Sequence, residues 1–257
     1  MGPAGRIDVV LVCGGRWHDF DHARLQLLTA LAEHPVAKTR VYESYDCLDA
    51  LSKADLLVTY TCDVRPNAEQ QVALVEFVRR GGRWLALHGS NSAIEAPAPG
   101  AEKIFTTPRD FGPVAEVLGS QFLGHPPIEP YQVHITQPQH PLAIGIEPFT
   151  VTDELYVSEL HGPLDVVMHA HYSGPCRGFE EGHTEGEEHV QRPILYTKPT
   201  GSGSVLYFTL GHCRGRFDMQ DMGRDDLGKV DLGSWVVPEF RTVLGRCIAW
   251  GITGAFA

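Results

Sequence analysis

No stretch of this sequence approaches the roughly 18 to 20 unbroken apolar residues that a membrane span needs, so no membrane partner is expected. Positive charge is scarce: 21 lysines and arginines stand against 32 acidic residues, for a net charge of -11. A field of that sign repels phosphate backbones and anionic lipid surfaces, which argues against a nucleic-acid partner. The six cysteines, Cys13, Cys47, Cys62, Cys176, Cys213 and Cys247, are scattered with no C-x-x-C pair. That spacing suggests neither a zinc knuckle nor a disulfide framework and fits reduced thiols in a cytoplasm. The opening is not expected to be a signal peptide, because the short run Ile7 to Cys13 is interrupted by Asp8 and ends in glycines. It reads as a first strand.

What is present is enough apolar material, 43% of 257 residues, for one large α/β domain spanning residues 1–257. Short β-rich runs alternate with amphipathic segments: Ile7 to Cys13, Ala23 to Glu33, Thr39 to Tyr42, Asp55 to Tyr60. This rhythm predicts βαβ units and a doubly wound, mostly parallel sheet flanked by helices. Asn67 caps a next helix carrying Val72, Leu74, Val75 and Val78, Gly81-Gly82 ends it, and Arg83 to His88 is a further strand. Between Ala96 and Tyr131 prolines and glycines thicken around one short helix near Val114 to Leu118, as in an excursion over a cleft. Strands are expected at Tyr131 to Thr136, Val166 to Ala170, Ile194 to Thr197 and Val205 to Leu210. Glu180 to His189 reads as a solvated acidic loop, and Pro238 to Ile252 as a terminal amphipathic helix.

Ligands of an open parallel sheet bind beyond the carboxyl ends of its strands. Four such ends carry polar residues here: Trp17-His18-Asp19, Thr61-Cys62-Asp63, His88-Gly89-Ser90-Asn91, and Gly211-His212. His88 is the sharpest, since Leu85 to Leu87 is an apolar strand that turns abruptly at Gly89, the place of a nucleophile elbow. An imidazole there suits acid-base work or metal ligation; a histidine hydrogen-bonded inside the corner is the competing reading. His18 and His22 have the i, i+4 spacing of a zinc helix, but His18 precedes the helix start, so His22 is expected on an exposed helix face. In Asp153-Glu154-Leu155-Tyr156, an extended chain points Glu154 and Tyr156 to one side. His125 and His140 stand beside prolines, and one of them could line the pocket.

With these residues in view, the chain resembles the ThuA-like (trehalose utilisation) family over nearly its whole length. The resemblance is carried by Trp17-His18-Asp19, Gly81-Gly82 before Leu87-His88-Gly89, Gly124-His125-Pro126, and His140-Pro141 with Gly145 and Phe149 before Asp153 to Tyr156. It continues through Gly201-x-Gly203-x-Val205, Leu210-Gly211-His212 and a final helix with Trp250. It implies a class I glutamine-amidotransferase-like (flavodoxin-like) fold and a role in catabolism of trehalose or related saccharides, including oxidised keto-sugars. The glycine- and aspartate-rich stretch Asp218 to Trp235 is longer than the family's usual return to the last helix, and is expected to reshape the pocket mouth or a subunit contact.

These readings favour an enzyme on a sugar-derived small molecule. His88, His212 and Glu154 are the candidate catalytic groups, and His18, Tyr156, Asp63, Ser90 and His125 the candidate substrate-binding ones. Isomerisation, elimination and hydrolysis all need a base near neutral pKa and a donor for a developing oxyanion. A glutaminase is disfavoured because no cysteine stands at the elbow, and serine hydrolysis because Ser90 lacks the G-x-S-x-G context. No cofactor is required, although three imidazoles from three strand ends could bind a divalent metal, zinc being the most plausible. A non-catalytic sugar-binding or assembly subunit is the alternative, and a homo-oligomer is compatible with the sequence.

Overall fold

The computed structural model describes residues 5–97, 104–186 and 190–256. In chain order the first half contains β1 (Ile7–Gly15), α1 (Phe20–Ala32), β2 (Ala37–Tyr42), α2 (Leu48–Leu51), β3 (Leu56–Cys62), α3 (Ala68–Arg79) and β4 (Arg83–Leu87). Then follow α4 (Pro113–Leu118), β5 (Ser120–Gly124), β6 (Glu129–Ile135), β7 (Phe149–Asp153), β8 (Val157–Leu160), β9 (Asp165–His171), β10 (Gln191–Thr200), β11 (Gly203–Phe208) and α5 (Pro238–Thr253).

Among the described residues, nine strands form one sheet in the order β2-β1-β3-β4-β11-β10-β9-β6-β7, and β5 pairs with β8 apart from it. The half from β2 to β11 is parallel throughout. Of its strands, β1, β3, β4 and β11 are largely apolar and buried because both faces are covered, while the edge strand β2 alternates half-buried and exposed residues. On one face Val9, Leu11 and Cys13 of β1 pack with Ala23, Leu27 and Leu31 of α1 and with Phe240, Val243 and Cys247 of α5. On the other, Val10 and Val12 meet Leu74, Val75 and Val78 of α3 and Val114 and Leu118 of α4. This is the doubly wound arrangement. The remaining strands, β10, β9, β6 and β7, extend the sheet as an antiparallel wing.

Helix starts follow from local capping. Asn67 and Gln70 form a reciprocal capping box at α3. Asp19 caps α1 by accepting from the His22 N–H, so α1 begins at Phe20, after His18 as expected. His22, expected on an exposed helix face, is instead half-buried, because its ring packs edge-on to Trp235 at 5.7 Å. The acidic loop is exposed or half-exposed over Glu180 to Gly186, as expected of a solvated loop, and its start is tied down by Phe105 bridging to Phe179 and Arg109 pairing with Glu181; residues 187–189 lie outside the described residues.

Candidate functional site

Parallel strands β1, β3, β4 and β11 all end at the same edge, and each hands its following residues to one cleft. The approach is close enough to need glycine. A Cβ on Gly15, which has φ +128°, would collide with the Cys62 carbonyl, and one on Gly89 with the Thr61 carbonyl. Among the described residues, three non-glycine residues hold positive φ: Trp17 at 67°, Asp63 at 57° and His88 at 45°. They follow β1, β3 and β4 respectively, so backbone strain of about 1 to 3 kcal/mol per residue is concentrated at this edge. His88 opens a short 3₁₀ turn to Asn91, and its carbonyl accepts from the Tyr207 hydroxyl at 2.6 Å.

Four side chains converge there. One ligand-type atom from each of His18, His88, Glu154 and His212 lies within 4.8 Å of the other three, and all four residues are buried. His88 Nε2 is 3.3 Å and His18 Nε2 3.6 Å from one Glu154 oxygen; His212 Nδ1 and Arg214 Nη2 are each 3.2 Å from the other. His125 Nε2 stands 3.7 Å from that same second oxygen. Tyr156 places its hydroxyl 3.3 Å from His88 Nε2.

The ring orientations are fixed from behind. His18 Nδ1 lies 3.1 Å from the Arg16 carbonyl and His88 Nδ1 3.0 Å from the Thr209 carbonyl. A carbonyl can only accept, so each Nδ1 carries the proton and each neutral ring presents a bare lone pair at Nε2. Those two Nε2 atoms face each other at 2.9 Å. Two lone pairs at that separation repel unless a proton or a cation lies between them. Burial pushes the His18 imidazole down to about 3, with Glu154 only partly offsetting it, so a proton is poorly held there. The donor set of three imidazoles and one carboxylate, oriented by backbone carbonyls, fits a zinc-type cation.

The charge pattern is consistent with this. Burial alone would raise the Glu154 carboxyl, but His212 and His125, together with contacts to His18 and His212, hold it well below the usual carboxylate range. His212 is raised despite its burial because Glu154 faces it. Neither nitrogen of His212 has an aligned hydrogen-bond partner: the 3.2 Å approach to Glu154 is a charge contact, and Asp231 is 3.9 Å away. A buried imidazole with both nitrogens outside any hydrogen bond is chemically suited to ligate a cation.

Above the cluster opens a cleft of about 240 Å³, walled by Trp17, Phe105, Phe122, Tyr156 and Phe179, with His18, His125, Glu154, Arg177 and Arg214 among its polar lining. Phe122 and Tyr156 rings approach to 4.5 Å, and His125 and Phe179 to 5.0 Å. Tyr156 and His125 thus line the cleft. Two expected binding residues do not. Ser90 is turned into the elbow, where its hydroxyl reaches the Leu87 carbonyl at 2.7 Å and Thr59, because the tight turn at Gly89 leaves backbone acceptors nearer than the cleft. Asp63 is spent on Arg65, Arg16 and the Ile94 N–H, bracing the rim. His140 lies outside the cleft, its ring against Phe256.

Sequence reasoning missed Arg214, which donates to the Trp17 carbonyl at 2.8 Å and to Glu154, although its place two residues after His212 was a usable signal. It also missed the aromatic wall, because Phe105 and Phe122 sit in the aperiodic excursion. Residues 98–103 of that excursion lie outside the described residues. The long 218–235 segment does shape the mouth: Met219 lines it, and the Asp221 carboxylate accepts from the Trp17 indole N–H at 3.0 Å and from Arg16 at 2.7 Å.

A family model described as ThuA, trehalose utilisation, matches residues 9–224. No curated protein matches the chain. Among solved structures, a ThuA-like protein from Parabacteroides merdae is 17% identical, with a TM-score of 0.58 over 97% of this chain and 91% of its own. One from Bacteroides uniformis is 12% identical, with a TM-score of 0.61 over 96% and 93%. A cytoplasmic protein from Salmonella typhimurium LT2 is 15% identical, with a TM-score of 0.51 over 79% and 87%. At these identities the structural likeness speaks for the fold. Among the described residues no helix is long and apolar enough to cross a membrane, and all six cysteines are free and buried.

Proposed function

The chain belongs to the ThuA (trehalose utilisation) family, and from that premise we propose that it is an enzyme acting on a sugar-derived small molecule, such as an oxidised keto-sugar, through the histidine-carboxylate cluster. The observation that carries this reading is the pair of facing lone pairs on His18 and His88 beside Glu154, at the floor of an aromatic cleft. Flat aromatic walls suit the apolar faces of a sugar ring, and the polar floor suits its oxygens. His18, His88, Glu154 and His212 would hold a divalent cation of the zinc type, which when bound supplies Lewis acidity toward a carbonyl or hydroxyl oxygen. Tyr156, whose hydroxyl burial keeps protonated, is a donor toward a sugar oxygen. His125, partly exposed at the cleft wall and 3.7 Å from Glu154, is placed to contact a bound sugar.

One specific observation supports a metal-free version of the same chemistry: the Tyr156 hydroxyl is already within 3.3 Å of His88 Nε2 and can donate to it. His88 and His212 would then move protons themselves, with Glu154 as base or orienter. Turnover of a panel of keto-sugars and glycosides by chelator-treated protein, with and without added zinc, tests both. Zinc-dependent turnover supports the first version and zinc-independent turnover the second. Saturable sugar binding with no product under either condition overturns the enzyme reading in favour of a binding subunit.

A further inference from the structure

A second group of imidazoles lies away from the cleft, on the antiparallel wing. His169 and His171 are i and i+2 on β9 and so project from one face of the sheet. His134 of β6 is the registered Cα partner of His169. The three rings meet there: His134 stacks on His169 at 5.3 Å between centroids, and His171 stands 5.1 Å from His134 and 4.8 Å from His169. The Nε2 atoms of His169 and His171 are 3.2 Å apart.

That separation has a chemical meaning. Two nitrogens held 2.0 to 2.1 Å from a tetrahedral zinc sit roughly 3.3 to 3.4 Å from one another. Thr136 holds His169 Nδ1 at 2.7 Å, which fixes the ring and directs Nε2 outward, as outer-shell partners of metal-bound histidines do. His169 is 8% exposed while His171 is exposed, so the open side of the pair faces solvent and an ion can enter. The location matters too. Pairing of β6 with β9 has only two registered positions, His134 with His169 and Ile135 with Met168. Beyond that short seam hangs β7, which ends at Asp153 and delivers Glu154.

We propose that His134, His169 and His171 form a separate site for a borderline divalent cation such as zinc, which clamps β6 to β9. His169 and His171 supply the preset pair, and rotation of the His134 ring from its stacked position supplies the third ligand. The fourth position is left to water. The clamp reinforces the weakest seam of the sheet and so steadies the strand that carries Glu154, without taking part in the cleft chemistry.

The test uses the full chain, stripped with chelator, dialysed, and titrated with zinc by calorimetry and by thermal melting. The variant H169Q/H171Q should bind one equivalent less than the unaltered chain, while Glu154→Gln, altered only in the cleft, should keep that equivalent and its zinc-dependent rise in Tm. Thr136→Val should weaken the same equivalent roughly 10- to 100-fold. Equal stoichiometry and affinity in H169Q/H171Q overturn the proposal, as does a Glu154→Gln chain that binds no zinc. Should H169Q/H171Q fail to fold, His171→Gln at the exposed position decides: a loss of at least roughly tenfold in affinity supports the clamp, and unchanged affinity removes it.

Discussion

Asp153 and Glu154 are adjacent in the chain, yet their carboxylates serve different structures. Glu154 enters the histidine cluster, while Asp153, 1% exposed, accepts from the backbone N–H groups of Gly211, His212 and Ser234 and from the Ser234 hydroxyl. One buried acid thereby pins the loop that presents His212 to the 3₁₀ turn closing the long 218–235 segment. The adjacent acid is free to act because its neighbour does the anchoring.

Asp153→Asn should therefore lose stability on the order of 3 kcal/mol. An amide puts N–H donors against N–H donors and removes the charge that four hydrogen bonds share. Urea denaturation measures the loss, and turnover should fall with it because His212 is no longer held. A change under about 0.5 kcal/mol would show that the loop is positioned by other contacts, such as Trp235 and Tyr60 on the Gly211 carbonyl.

The facing nitrogens of His18 and His88 predict a linked effect of metal. Chelator-treated protein should melt lower than untreated protein. Zinc at about 100 times its dissociation constant should restore roughly 2.7 kcal/mol for a site that exists only in the folded chain. In H169Q/H171Q, where only the cleft cluster remains, this restoration should persist, and His18→Gln added to that variant should abolish it. Identical melting of stripped and zinc-loaded protein in the H169Q/H171Q background would leave the metal-free version of the chemistry standing.

Much of this was legible in the sequence because its signals were local. The apolar run of β4 stopping at Leu87-His88-Gly89 announced a sharp strand-to-turn corner, and the backbone at His88 has the positive φ that such a corner requires. His18 and His212 were legible for the same reason, each following a recognisable strand. The partner of these residues was harder. Glu154 belongs to a sheet wing whose antiparallel register depends on pairing between distant segments, and alternation within residues 149–156 does not reveal what it faces. Ser90 was misplaced because residue type and position were right for a cleft while rotamer choice, set by the nearby Leu87 and Thr59 acceptors, turned it inward. The triad on β6 and β9 was invisible until the register put His134 opposite His169.

The elbow backbone sets up a comparison at His88. Its ring is 1% exposed and bonded to the Thr209 carbonyl, so any replacement costs stability, about 1 to 3 kcal/mol for a buried partner left unsatisfied. Asn tolerates the left-handed region better than Ala. His88→Asn should thus melt above His88→Ala, while both lose turnover and cleft zinc. Turnover at the unaltered rate in either variant would exclude His88 from the chemistry.

The last prediction concerns the mouth. Asp221 is about two-fifths exposed in its side chain; its ion pair with Arg16 is a surface contact, and its hydrogen bond from the Trp17 indole lies at the partly buried edge of the wall. Asp221→Ala should accordingly change stability by less than about 1 kcal/mol, as exposed ion pairs do. Trp17 is another matter: its ring forms a wall of the cleft against Phe105 at 6.0 Å, and its backbone is held at φ 67°. With the indole N–H released, the wall can swing while the buried cluster below it stays put. The expected signature is a raised KM for the sugar substrate with kcat largely kept, since the loss falls on binding that ground state and transition state share. A fall in kcat at constant KM would mean that the 218–235 segment acts on the reacting groups themselves, through Asp231 beside His212, rather than on the wall.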